Sequence, residues 1–428
     1  MAKFQFRERI PIDVNHTLMQ LLSRFRGVRD GLPELIKNAK DQYSRLGVSD
    51  QSTRVIVVAV NSEEHSLAVI DFAGAANDQF KQWEIWSDPS ANTRDRAADI
   101  EGGHGNGGKA FMVLGSTTDS SFESCFDGRR TKMGYQNDVE RDRFKPGIAL
   151  EDGKPVEAQA VDSVRRRFER SLGELGLKYK QLPLAAQAAF EARQAFTIAR
   201  VNGVRDWSRG RTEMTRRAIL ELPKVIETHP QAAMTLESSS VWFLIDEKVI
   251  GEKPIAIQHP EPFTGFEEPV VIPVPIEIKD PRTAELVDTG QANERKALTL
   301  RTSARSLRTE DLRPLHAIRV RNDRNIVAAW SVADLCPGAS SGFIFGELRV
   351  PVVAQLSPGV SPEEVPLLRG LKAWCAARII ELSDKVQLRM GYSEDERDAV
   401  NHQLARFRSL MIDCLSDRQG ERGRKSRR

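Results

Sequence analysis

Two apolar runs dominate the early part of the chain: Arg54-Val-Ile-Val-Val-Ala-Val60 and Ser66-Leu-Ala-Val-Ile-Asp71, separated by Asn61-Ser-Glu-Glu-His65. Short β-branched runs around a polar turn predict a hairpin, and this one delivers Asp71 to the end of a sheet strand. Ahead of it, Leu35, Ile36 and Ala39 can face a core from a helix over 33–46. Pro33 suits the first turn of such a helix, where its missing N–H costs no intrahelical bond. The polar members Glu34, Asn38 and Asp41 fall at i, i+4 and i+7, and so share one face. A shorter helix is expected over 17–25, after a strand-like arm at 1–13 with Phe4-Gln-Phe6 and Ile10-Pro-Ile12.

Further along, residues 77–101 are polar, as a lid over a ligand would be, and apolar packing resumes from Lys109 to Ser116. Residues 156–182 read as helical and basic, with Arg165-Arg-Arg167 taken as a solvated face. A strand over 194–201 is expected to close the first domain near Trp207, and 212–228 to form a linking helix broken at Pro223. The run Ser240-Val-Trp-Phe-Leu-Ile245 with Val249-Ile250 predicts a hairpin opening a second, β-rich domain. Strands follow at 270–278, 315–320, 326–330 and 342–350, with 279–311 a polar connection. Helices are expected at 363–386, behind the start signal Ser361-Pro-Glu-Glu, and at 393–416. The resulting boundaries are 1–210, a linking helix at 211–235, 236–358, helices at 359–417 and a tail at 418–428.

Composition narrows the class. The 428 residues suffice for two or three domains with real cores. With 40% hydrophobic and 29% charged residues, no membrane-length apolar run and no secretory pattern, a soluble cytoplasmic protein is expected, with no membrane partner. Cys125, Cys336, Cys375 and Cys414 are too scattered for a zinc or disulfide framework. The net charge of +3 is uneven, because six Lys and Arg against Glu421 make residues 418–428 locally +5. Removing that tail leaves −2, so only the tail carries a signal for DNA.

Candidate chemistry begins with Glu34 and Asn38. An amide oxygen is a hard ligand for magnesium, and a carboxylate one turn away can take a proton from water. Asp71, before Phe72-Ala-Gly74, suits adenine, since a buried carboxylate accepts from the exocyclic amine. Residues 102–108 hold five glycines in seven positions, with His104 and Asn106 as the only side chains. Glycines let consecutive N–H groups converge on an anion, and the helix behind them adds its positive end. Gly103, His104, Gly105, Asn106, Gly107 and Gly108 are therefore candidate phosphate contacts, with Lys109 supplying a full positive charge. A Walker A pattern is absent.

This ordered triple of acid–amide helix, strand-end Asp and glycine loop resembles the GHKL superfamily of gyrase, heat-shock chaperones, histidine kinases and MutL. Its loop is most similar to the microrchidia (MORC) branch and its prokaryotic relatives. The resemblance covers about the first half of the chain. It implies an α/β fold of α+β sandwich type, with a Bergerat-type nucleotide-binding domain, a transducer-like α/β domain and C-terminal helices. It also implies ATP and Mg2+ as cofactors, Glu34 and Lys109 as catalytic residues, and Asn38 as metal ligand. Asp41, Asp71, Gly74 and the glycine loop with Lys109 would complete the nucleotide contacts. Ala73 and Ala75 stand where that family usually has glycine, which points to weaker or altered nucleotide preference. A lysine from the transducer domain reaches the γ-phosphate in such proteins. The loop after 342–350 lacks one here, leaving Lys253 and Lys296 as substitutes.

The implied activity is slow, magnesium-dependent ATP hydrolysis driving a conformational switch. It would dimerise on binding nucleotide and act with DNA or an unidentified protein client. Two alternatives stand beside it: an ATP-sensing scaffold that does not hydrolyse, and a histidine-kinase-like phosphotransferase. For the latter, His16 is the only histidine ahead of Glu34.

Overall fold

The computed structural model describes residues 28–75, 107–138, 143–206, 212–291, 296–309, 312–322, 326–338, 340–353 and 361–390. The expectations for the N-terminal arm, the helix at 17–25, the lid at 77–101, the helix at 393–416 and the basic tail fall outside these residues. The chain divides into two compact units, residues 1–258 and 259–428, and is of mixed α/β class. No helix among the described residues is long and apolar enough to cross a membrane.

The first unit runs α1 (Val28–Arg45), β1 (Val55–Asn61), β2 (Ser66–Asp71), α2 (Gly107–Leu114), β3 (Asp119–Phe126), β4 (Arg129–Asp138) and β5 (Arg143–Ile148). It continues with α3 (Val164–Gly173), α4 (Leu184–Arg193), β6 (Phe196–Val201), α5 (Arg216–Leu220), α6 (Leu222–Thr228), α7 (Pro230–Ser238), β7 (Ser240–Ile245) and β8 (Lys248–Ile255). The strands form one nine-stranded sheet in the order β8-β7-β1-β2-β6-β3-β4-β5, with Gln159–Ala160 added against β4. β1 and β7 are parallel, Val55 lying opposite Ser240 and Val60 opposite Ile245. The sequence β1-β2-β6-β3-β4 is antiparallel throughout.

Both faces of this sheet are covered, which is why β1 is apolar at nearly every position. Ile56, Val58 and Val60 enter a core with Leu32, Ile36 and Tyr43 of α1, Phe111 of α2 and Ile226 of α6. Val55, Val57 and Ala59 enter a second core with Phe168 of α3 and Phe190 of α4. The last two rings stack at 4.5 Å.

Several expectations are corrected here. α1 begins at Val28, more than a turn before Pro33, so that proline sits inside the helix. The hairpin β7–β8 joins the first sheet instead of opening a second domain, because Val241 and Phe243 fill one core and Leu244 the other. Residues 211–235 likewise belong to the first unit, with Ile219, Leu222, Ile226 and Ala232 buried in its core. The stretch 156–182 is only partly helical: Ser163 caps α3 by accepting from the Arg166 N–H, and short strands precede it. Arg167 also turns inward, its Nε 2.7 Å from the buried Glu123 Oε1, which Arg130 Nε also approaches at 2.6 Å. Glu151 and Glu174 pair with the same arginines, and Lys132 pairs with Glu123 and Glu174, so charge is balanced within the cluster.

α2 lies against α1 with Phe111 directly over Gly31. A methyl at Gly31 would stand 2.3 Å from the Phe111 ring. Gly31→Ala is therefore expected to lose about 1–3 kcal/mol through overpacking. Chemical denaturation would read this as a lower midpoint with an unchanged slope.

The second unit holds a five-stranded sheet of β9 (Val270–Pro273), β10 (Ala297–Thr302), β11 (Ala317–Arg321), β12 (Ile326–Ser331) and β13 (Ile344–Arg349), in the order β9-β10-β13-β11-β12. Helix α8 (Pro366–Arg389) covers one face. Leu371, Cys375 and Ile379 pack there with Leu298 and Leu300 of β10, Ile318 and Val320 of β11, and Leu348 of β13. β10 occupies the expected polar connection 279–311. Its alternating buried and half-buried residues give it a place between β9 and β13. A separate hairpin pairs Glu277–Lys279 with Leu286–Asp288.

Candidate functional site

Of the candidate residues, Gly103, His104, Gly105 and Asn106 lie outside the described residues. The others belong to three elements of the first unit. Glu34, Asn38 and Asp41 are on α1, Asp71 and Gly74 are at the end of β2, and Gly107, Gly108 and Lys109 open α2.

These three elements meet. Phe111, one turn into α2, rests on Gly31, one turn ahead of Glu34 on α1. At the other end of α1, Gln42 donates its Nε2–H to the Gly74 carbonyl at 2.6 Å. Tyr43 beside it donates to the Val55 carbonyl at 2.7 Å and accepts from the Phe72 N–H at 2.9 Å. The helix carrying the acid–amide face is thus fastened to the β2 turn by one end and to the glycine-loop helix by the other.

Asp71 is fully buried. Its Oδ1 accepts from the N–H groups of Ala73 at 2.9 Å and Gly74 at 3.3 Å, which closes the turn. Gly74 takes φ +72°, and a side chain there would crowd Phe126 at 2.9 Å, so glycine is required twice over. Burial pushes the Asp71 carboxyl up to about 7, against the opposing pull of the two N–H groups, the Arg193 charge and the Thr197 hydroxyl.

Thr197 is the residue that sequence reasoning missed. It lies directly opposite Asp71 in the β2–β6 register, and its hydroxyl hydrogen-bonds the Asp71 carboxyl. Ser124 continues the chain, with its Oγ 3.2 Å from Thr197 Oγ1 and accepting from the Ala75 N–H at 2.8 Å. Only the register across two strands could have revealed this group.

Glu34 pairs with Lys37 at 2.7 Å, and its side chain is only 12% exposed, so its face is not an open, solvated one. Asn38 is half-buried one turn on, and Asp41 is buried with the Lys40 Nζ at 3.4 Å. Lys109 is buried at the start of α2 and has interactions of its own. The suggested transducer lysines fit that role poorly. Lys253 is exposed on β8 of the first unit, and Lys296 is buried and donates to the Gly290 carbonyl at 2.6 Å.

Among the described residues no group of three His, Cys, Asp or Glu could hold a metal ion. One amide oxygen beside a carboxylate fits a magnesium ion carried by phosphates better than a free one, since magnesium keeps most of its ligands from phosphate and water. A polar cleft of about 290 Å³ opens at the far end of β1 and β2, where Asn61, Ser66, Arg216 and Asp246 line it. None of the candidate residues does. No protein-family model matches the chain, and no curated protein matches it.

Proposed function

We propose that the first unit binds ATP with magnesium and hydrolyses it slowly, as a nucleotide-driven conformational switch that dimerises when loaded. One observation carries the reading: α1 is joined to both the Asp71–Gly74 turn, through Gln42, and the helix after the glycine loop, through Gly31 and Phe111. Three segments chosen for their chemistry adjoin, as a single nucleotide pocket requires.

In this reading the second oxygen of Asp71 accepts from the adenine amine, and the Thr197 hydroxyl fixes the carboxyl beside it. The N–H groups at the start of α2 hold phosphate oxygens, with Lys109 as a cation behind them. Asn38 would hold the metal through its amide oxygen, and Glu34 would take the proton of the attacking water. Magnesium, when bound, neutralises the triphosphate. DNA, or a client that processes it, is the partner class implied by resemblance, with the basic tail as independent support from the sequence.

The test uses the full chain. Isothermal titration with ATP and magnesium should show binding. Phosphate release should be slow and abolished by EDTA, and light scattering should show a dimer with a non-hydrolysable analogue. Binding without release would favour the sensing scaffold. Absence of binding would remove the reading altogether.

A further inference from the structure

The second sheet has a face turned away from α8, and its composition is unusual. By strand alternation it carries Arg301 on β10, Phe345, Glu347 and Arg349 on β13, Arg319 and Arg321 on β11, and Ala329 on β12. Four guanidinium groups therefore share this face with one carboxylate. That carboxylate is committed, because Arg321 Nε lies 2.6 Å from Glu347 Oε1. Arg321 also stands directly opposite Arg349 in the register, a like-charge pair that normally costs stability.

Arg319 is the informative member. Its Nε and one terminal nitrogen are sealed from water and have no hydrogen-bond acceptor. Glu347 lies opposite it on one side and the small Ala329 on the other. The Glu347 charge acts on this guanidinium without accepting from those two nitrogens, and buried N–H groups that lack an acceptor are costly and rare in native proteins. Arg301 lies across β13, opposite Phe345. Over Phe345 sits the exposed His259, with ring centroids 6.0 Å apart. Partial burial and then the charges of Arg301 and Arg319 hold this imidazole below its usual range.

We propose that this face of the second sheet carries a phosphate-binding site, with Arg319 and Arg301 as its two cationic arms and His259 as a third donor. A carboxylate has two oxygens and would satisfy a single guanidinium fork. Donors reaching from β10, β11 and the segment before β9 need an anion with more acceptor oxygens and more charge, which is the chemistry of a phosphate group. The site is independent of the nucleotide reading of the first unit, since it shares no residue with it.

The test uses the full chain and three probes: inorganic phosphate, pyrophosphate and a short single-stranded oligonucleotide. At least one should bind by isothermal titration, and Arg319→Gln should weaken that probe at least about tenfold. Arg301→Gln provides a second loss that does not depend on how Arg319→Gln folds. Which probe binds tightest identifies the source, a free phosphate or a nucleic-acid backbone. The two losses, at Arg319 and Arg301, place the binding in the second unit.

Two further readouts distinguish binding from a structural role. Without ligand, Arg319→Gln should melt no lower than wild type, because it removes an unsatisfied buried charge; the bound probe should raise the wild-type Tm only. The His259 imidazole, followed by NMR, should titrate at higher pH when the probe is bound, because a nearby anion favours the protonated ring. Equal affinity in wild type, Arg319→Gln and Arg301→Gln would overturn the proposal, as would failure of all three probes to bind.

Discussion

Asp71→Asn should abolish nucleotide binding while making the protein more stable at alkaline pH. The two effects have one cause. In the folded chain Oδ1 is taken by the N–H groups of Ala73 and Gly74, so a ligand amine must be accepted by the other oxygen. Asparagine keeps an oxygen for the turn and presents an NH2 group where the second oxygen stood. A donor facing a donor leaves both unsatisfied, and a loss of at least about a hundredfold in ATP affinity is expected.

Stability moves the other way. Burial raises the Asp71 carboxyl from 3.8 to about 7, so the folded state holds its proton over a range in which the unfolded chain has released it. The protonated carboxyl therefore favours folding fully below about pH 4, and this contribution fades as pH rises through 7. By pH 8 the wild type bears the cost of a buried carboxylate, at most about 4 kcal/mol for a shift of this size. Asparagine cannot ionise. Melting curves of the two proteins should nearly coincide at pH 4 and separate by pH 8, with the variant higher. Wild-type ATP affinity should also fall below pH 7, as the accepting oxygen gains a proton. A variant that binds ATP normally would remove Asp71 from the site.

Glu34→Gln should stop phosphate release and spare binding. The amide cannot take a proton from water, and general-base contributions are worth about 10²- to 10⁴-fold. The Glu34–Lys37 pair spans one helical turn, and such pairs contribute only about 0.2–0.5 kcal/mol, so the variant should fold as wild type. Its ATP affinity should stay within about threefold of wild type, and it should accumulate as the loaded dimer. Release at the wild-type rate would show that Glu34 is not the base.

Local pattern disclosed the elements whose signals are local. The β-branched runs at 54–71 gave the hairpin and placed Asp71 at its end, and the helical spacing of Leu35, Ile36 and Ala39 gave most of α1. Pro33 misled because tertiary packing of Val28 and Leu32 carries the helix past it. Strand β10 alternates strictly from Ala297 to Thr302, but polar residues on both sides hid it. The larger failures were non-local. Nothing near residue 240 states that its partner is residue 55, so β7 was assigned to the wrong domain. Thr197 and Arg167 also draw their roles from residues 126 and 44 positions away, Asp71 and Glu123. Chemistry was legible where a motif is contiguous and illegible where a register assembles it.

The parallel union of β1 with β7 also bears on how the protein is made. A ribosome must emit almost two hundred residues after β1 before its parallel neighbour in the sheet exists. Until then one edge of β1 presents a bare ladder of N–H and C=O groups beside a valine-rich ridge, the features that recruit other chains. The nascent protein therefore has a long interval of vulnerability. Any fragment ending before residue 240 would make that interval permanent.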